Sequence, residues 1–106
     1  MGTGAEVLVE LSFVAEVIHW RGPSPFFFIP LPPQDADEIR RIAKAVTYGW
    51  GVIPVEAAVG GVTFSTSLFP KDETYLLPVK VAVRRKAQVT AGDVVAVAMT
   101  VRAPGR

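Results

Sequence analysis

GGVTFSTSLFPKDETYLLPVKVAVRRKAQVTAGDVVAVAMTV (Gly60–Val101) decides the fold. Gly60-Gly61 turns the chain, and from Val62 to Leu68 the residues alternate. Val62, Phe64, Thr66 and Leu68 share one face, and Thr63, Ser65 and Ser67 share the other, the period of a half-buried strand. Pro70-Lys71-Asp72-Glu73 reads as a hairpin turn into Tyr75-Leu76-Leu77. After Gly92-Asp93, alternation returns from Val94 to Val101. Val95, Val97, Met99 and Val101 form its bulky face, and Ala96, Ala98 and Thr100 the face that allows close approach. Between these strands, Val79–Ala87 supports two readings. Its β-branched content suits a strand, whereas Val79, Ala82, Val83 and Ala87 fall on one face of a helix.

Working back toward the N-terminus, Val7 to Trp20 alternates as one long strand or two strands meeting at a bend. Arg21-Gly22-Pro23-Ser24-Pro25 breaks it. Phe26-Phe27-Phe28-Ile29 is apolar at every position, which predicts a strand covered on both faces. A helix is expected over about 35–47, opened by Asp35, Asp37 and Glu38 where they complement the helix dipole. Ile39, Ile42, Ala43 and Val46 form its apolar stripe, and Gly49 and Gly51 end it. Val52 to Val59 reads as another strand. A faint internal repeat follows, with Ile29-Pro30 and Leu77-Pro78 each closing a strand before a basic helix. Two ββαβ units sharing one barrel explain it.

Composition narrows the function classes. The chain has 106 residues, enough for one domain, 1–106, and half of them are hydrophobic, which excludes a disordered tail. Net charge is +1, unlike the basic footprint of a dedicated nucleic-acid binder. The absence of Cys excludes disulfides, thiolate metal sites and Cys nucleophiles, and a single His excludes a multi-histidine metal site. No secretion signal, acylation motif or membrane-spanning apolar run is found, so a cytoplasmic location without membrane association is expected.

The strings GGVTFSTSLFP, YLLPVKVAVRRK and AGDVVAV, preceded by FVAEV and FFFIPLP, resemble the bacterial family catalogued as domain of unknown function 1905, over about residues 12–102. The resemblance implies a mainly β fold, a small closed double-split β-barrel similar to that of the AbrB and MraZ transcription factors. In that class a short helix precedes a Gly-Asp turn, so the resemblance favours a helix over about 79–87. The family has no established activity and leaves function open.

Lys80, Arg84, Arg85 and Lys86 place four cations within seven residues, and on a helix Lys80 and Arg84 project together. They are candidates for an anion site, against the reading of a solvated face paired with Asp72, Glu73 or Asp93. The hydroxyl row containing Ser65 and Ser67 could line a polar pocket or simply face solvent. Tyr48 and Trp50, in a Gly-bounded loop, are candidates to stack on a ligand or partner. Gly92 and Asp93 are read as a structural turn, with Asp93 accepting backbone hydrogen bonds. His19 is placed at the wet end of a strand. Asp35, Asp37 and Glu38 could also hold a divalent cation loosely.

No metal, cofactor or catalytic set is assigned. The leading expectation is a non-enzymatic binding module for a small anionic ligand or protein partner. The alternatives are a DNA-binding regulator, by fold analogy alone, and a small enzyme using a Ser/Lys or His site. Nucleic acid is not the expected partner. The chain is expected as a monomer, or as a homodimer if the Val7–Leu11 edge pairs with a second copy.

Overall fold

The computed structural model describes residues 6–20, 26–46 and 51–103. The chain runs β1 (Val7–Glu16), β2 (Ile18–Trp20), β3 (Phe26–Pro30), α1 (Pro33–Val46), β4 (Ile53–Val59), β5 (Val62–Lys71), β6 (Thr74–Pro78), α2 (Val81–Ala87) and β7 (Val94–Arg102). The strands form one sheet in the order β1-β7-β4-β5-β6-β3-β2, antiparallel throughout. It curls into a half-barrel whose two end strands, β1 and β2, are consecutive in the chain and meet at Val17.

Two ββαβ halves share this sheet. In the first, the strand Val7–Trp20 pairs with β7 as far as Glu16 and then, beyond Val17, with β3. In the second, β5 pairs with β4 as far as Leu68 and then, from Phe69, with β6. β4 and β7 pair with each other, as do β3 and β6, so a pseudo-twofold relates the halves. Two backbone hydrogen bonds repeat the relation: Leu31 N–H donates to Tyr75 O at 3.0 Å, and Val79 N–H to Phe27 O at 2.8 Å.

The crossover residues Val17 and Leu68 are both fully buried, because a strand that leaves one sheet for the other turns a side chain into the space between them. Around them the core takes Ile29 and Leu77 from the short strands and alternate residues of the long ones. Ile53, Val55, Ala57 and Val59 of β4 face Val97, Met99 and Val101 of β7. Ile39 and Ala36 of α1 close one side, and Val83 of α2 the other.

Turn chemistry fits the register. Gly60 and Gly61 both have positive φ (58° and 82°) in the two-residue loop between Val59 and Val62, a backbone that matches strand twist and favours glycine. Gly92, at φ 93°, donates its N–H to Val17 O at 2.8 Å. The Val17 N–H in turn donates to the Asp93 carbonyl at 2.9 Å, and Asp93 Oδ2 accepts the Thr90 N–H at 2.9 Å. The Gly-Asp turn therefore clamps the bend between β1 and β2.

Three features differ from the sequence reading. The second helix begins at Val81, because Lys80 is extended (φ −70°, ψ 161°) and Val79 still bonds to β3. The strand Phe26–Pro30 is covered on one face only: Ile29 is fully buried, but Phe26 on the other face is 53% exposed. Asp37 and Glu38 pair with Arg40 and Arg41 one turn on (2.9 and 2.7 Å), and no group of carboxylates or His suited to a metal ion occurs among the described residues. No helix among those residues is long and apolar enough to cross a membrane.

Candidate functional site

The open face of the short strands is the chemical centre of the molecule. Cross-strand register puts Trp20 beside Phe26 and Phe28 beside Pro78, and Phe69 stands opposite Leu76 on the same face. Trp20 (43%), Phe26 (53%) and Phe69 (45%) remain exposed, an aromatic density on one face that ordinary surfaces lack. A groove of about 610 Å³ runs along this face, walled by Phe26, Phe28, Phe69 and Pro78, and Phe27, whose side chain shares the covered face with Ile29, also borders it. Thr66, Ser67 and Lys80 supply its polar rim, and no carboxylate lines it among the described residues.

Phe27 carries the most unusual contacts. The Arg84 guanidinium carbon lies 3.6 Å from its ring centroid. The His19 ring stacks on the same phenyl with centroids 4.6 Å apart and planes 21° from parallel. Two groups so close to one centroid overlap if they share a face, so imidazole and guanidinium hold Phe27 between them. Arg84 Nε is buried and has no hydrogen-bond partner. A stacked guanidinium keeps its N–H groups in plane and directed past the ring, the geometry that receives a carboxylate or phosphate. Among the described residues, Lys80, Arg84, Arg85 and Lys86 make no ion pair, so the alternative reading of pairing with Asp72, Glu73 or Asp93 is not seen.

The pseudo-twofold explains why this point is open. Phe27 corresponds to Tyr75, whose backbone accepts from the residue leading into α1 just as Phe27 accepts from the residue leading into α2. Tyr75 is 7% exposed. The fourteen-residue α1 packs over β6, and Arg40 ties it to Glu73 O at 2.6 Å. The seven-residue α2 is too short to seal Phe27 in the same way, and a guanidinium takes the place of an apolar cover.

Of the sequence candidates, Lys80, Arg84 and Ser67 meet at or beside the Phe27 groove. Ser65 does not. It lies exposed on the outer face of β5 with Thr63, over a shallow depression beside Glu56 and Thr100. Lys86 is exposed on the last turn of α2 and does not line the groove. Tyr48 and Trp50 lie outside the described residues. Sequence reasoning passed over Phe69 and Lys71, which share a face with Trp20 and Phe28. The signal was present in the unbroken Phe26–Ile29 run, which leaves phenyl rings outside once only one face is covered.

No curated protein matches the chain. The family model described as a domain of unknown function (DUF1905) matches residues 13–99. The match takes in both halves from the middle of β1 to Met99 of β7, and so includes the groove, both helices and the Gly-Asp turn. By that match the chain belongs to the DUF1905 family.

Proposed function

We propose that the protein is a binding module for an amphipathic anion, with the apolar body in the Phe26–Phe28 groove and the acidic group at Lys80 and Arg84. The supporting observation is Arg84, laid flat on Phe27 with a buried, unpartnered Nε, next to a groove lined by Lys80 and, among the described residues, by no carboxylate. A buried donor without a partner carries a free-energy penalty that an incoming anion removes. The groove's volume is in the range that holds small organic ligands. Phenyl walls contribute area and edge-to-face contacts, and the hydroxyls of Thr66 and Ser67 add directional bonds.

The test is titration with 8-anilinonaphthalene-1-sulfonate, an aromatic anion whose fluorescence rises in apolar surroundings. Wild-type protein is expected to bind it saturably, and the Lys80→Ala/Arg84→Ala double variant to lose that binding while its melting temperature changes little. Equal binding by the double variant places the anion site elsewhere.

A further inference from the structure

A second groove of about 190 Å³ continues from the first. Phe26, Phe28 and Phe69 line both, so the phenyl wall is unbroken between them. At its far end stand Trp20 and Lys71, the Lys71 ammonium 4.4 Å from the Trp20 ring centroid. The contact holds the lysine against the aromatic face instead of leaving it to swing in solvent. Lys71 makes no ion pair, and no carboxylate lines this groove either, among the described residues. The strip thus has a cation at each end and apolar rings between.

We infer that the ligand is an elongated anion with an acidic group at each end, the second one held at Lys71. This rests on the anion-binding reading of the Lys80–Arg84 end. Register sets the length. Phe28 pairs with Pro78, so Phe26 stands level with Lys80, and Trp20 pairs with Phe26. Trp20 and Lys80 are therefore two strand spacings apart, roughly 10 Å, with the Lys71 ammonium against the Trp20 ring. A ligand with one acidic group leaves its apolar end under the Lys71 ammonium. One with two matches both cations and the phenyl wall between them, the chemistry of a medium-chain α,ω-dicarboxylate. A terminal carboxylate added to a chain in a merely apolar groove weakens binding, because its desolvation has no return.

The experiment compares decanedioate, decanoate below its micellar concentration and the short butanedioate, by calorimetric titration of the full chain. Wild type is expected to bind decanedioate roughly tenfold more tightly than decanoate, the scale of one charge-assisted bond at a half-open site. Butanedioate, too short to reach both ends, shows no such advantage. Lys71→Met, which keeps the aliphatic stem on Trp20, is expected to bring decanedioate to the decanoate level and to leave decanoate unchanged. Equal wild-type affinity for the two ten-carbon chains overturns the two-headed ligand while the Lys80–Arg84 site stands, and so does an advantage that survives Lys71→Met. Decanoate binding that is absent, or indifferent to Lys80→Ala/Arg84→Ala, overturns the anion site and the inference with it.

Discussion

Replacing Arg84 by Met separates a residue held for a ligand from one held for the fold. Three terms set the stability change. Losing the guanidinium over Phe27, 3.6 Å from its centroid, removes a contact of about 0.5–2 kcal/mol. Losing the buried, unpartnered Nε removes a penalty of about 1–3 kcal/mol. The Met sulfur restores about 0.3–1.5 kcal/mol against the ring and fills most of the same space. The sum runs from about 1 kcal/mol destabilising to about 4 kcal/mol stabilising and centres at about 1.5–2 kcal/mol on the stabilising side, a rise in Tm of roughly 5–10 °C for a chain this size. Scanning calorimetry reads that term. Titration with the naphthalene sulfonate reads the other, where loss of the planar donor fork is expected to weaken binding about tenfold or more. Arg84→Lys, keeping charge but not the fork, falls between. A Tm drop beyond about 10 °C for Arg84→Met would show that the guanidinium braces the fold, and would refute the reasoning from its orphaned nitrogen.

Other expectations concern the frame. Leu68→Ala is expected to cost about 2–5 kcal/mol by chemical denaturation, and Val17→Ala somewhat less, since both crossover side chains are fully buried. Phe28→Ala, at a half-buried ring, is expected to cost about 1–2 kcal/mol, and Leu77→Ala on the covered face more. A larger loss at Phe28 than at Leu77 contradicts the one-sided cover of the short sheet. Gly92→Val is expected to cost about 1–3 kcal/mol through backbone strain alone, because its φ is 93° and a Cβ there meets nothing within 4 Å. At Asp35, burial pushes the carboxyl above its usual 3.8, with Glu38 adding to the shift and the backbone hydrogen bond opposing it. The folded state therefore favours the protonated form, and this group's stabilising contribution is lost as pH rises through its folded value. Asp35→Asn is expected to equal or exceed wild type in stability at pH 7 and to lose that advantage below pH of about 4, measured by urea midpoints.

What the sequence disclosed depended on whether a segment has one buried face. Val94–Val101 alternates because Val97, Met99 and Val101 face the core while Ala96 and Ala98 face out, so its period is legible. Phe26–Ile29 has no period, and apolar content alone cannot say that Ile29 is sealed and Phe26 open. Val79–Ala87 satisfies two periods at once. The tie is broken by tertiary bonding, since Val79 remains tied to β3 and the helix starts only after an extended Lys80. At the site, the cations at Lys80 and Arg84 were visible as a run of charge. Their meaning was not, because the phenyl that receives Arg84 comes from the other half of the chain, and the Trp20–Lys71 contact joins two strands, β2 and β5, that do not pair with each other.

Those crossovers also determine where a site can exist. A fold made of two equivalent halves offers two equivalent positions beside its short sheet, at Phe27 and Tyr75. Equal helices would seal both, leaving a stable barrel with nothing to bind. Here one position is sealed, with Tyr75 7% exposed, Thr74 Oγ1 donating to Leu31 O at 2.9 Å and Arg40 fastening the hairpin to α1. The other is covered by the just under two turns of α2, so its phenyl is reached from the side and capped by a charged group. Stability is thereby concentrated in one half and openness in the other. Lengthening α2 by a turn of apolar helix should trade the groove for a more stable protein. A lengthened variant that gains stability and still binds the naphthalene sulfonate would mean that the opening beside Phe27 is not the entrance.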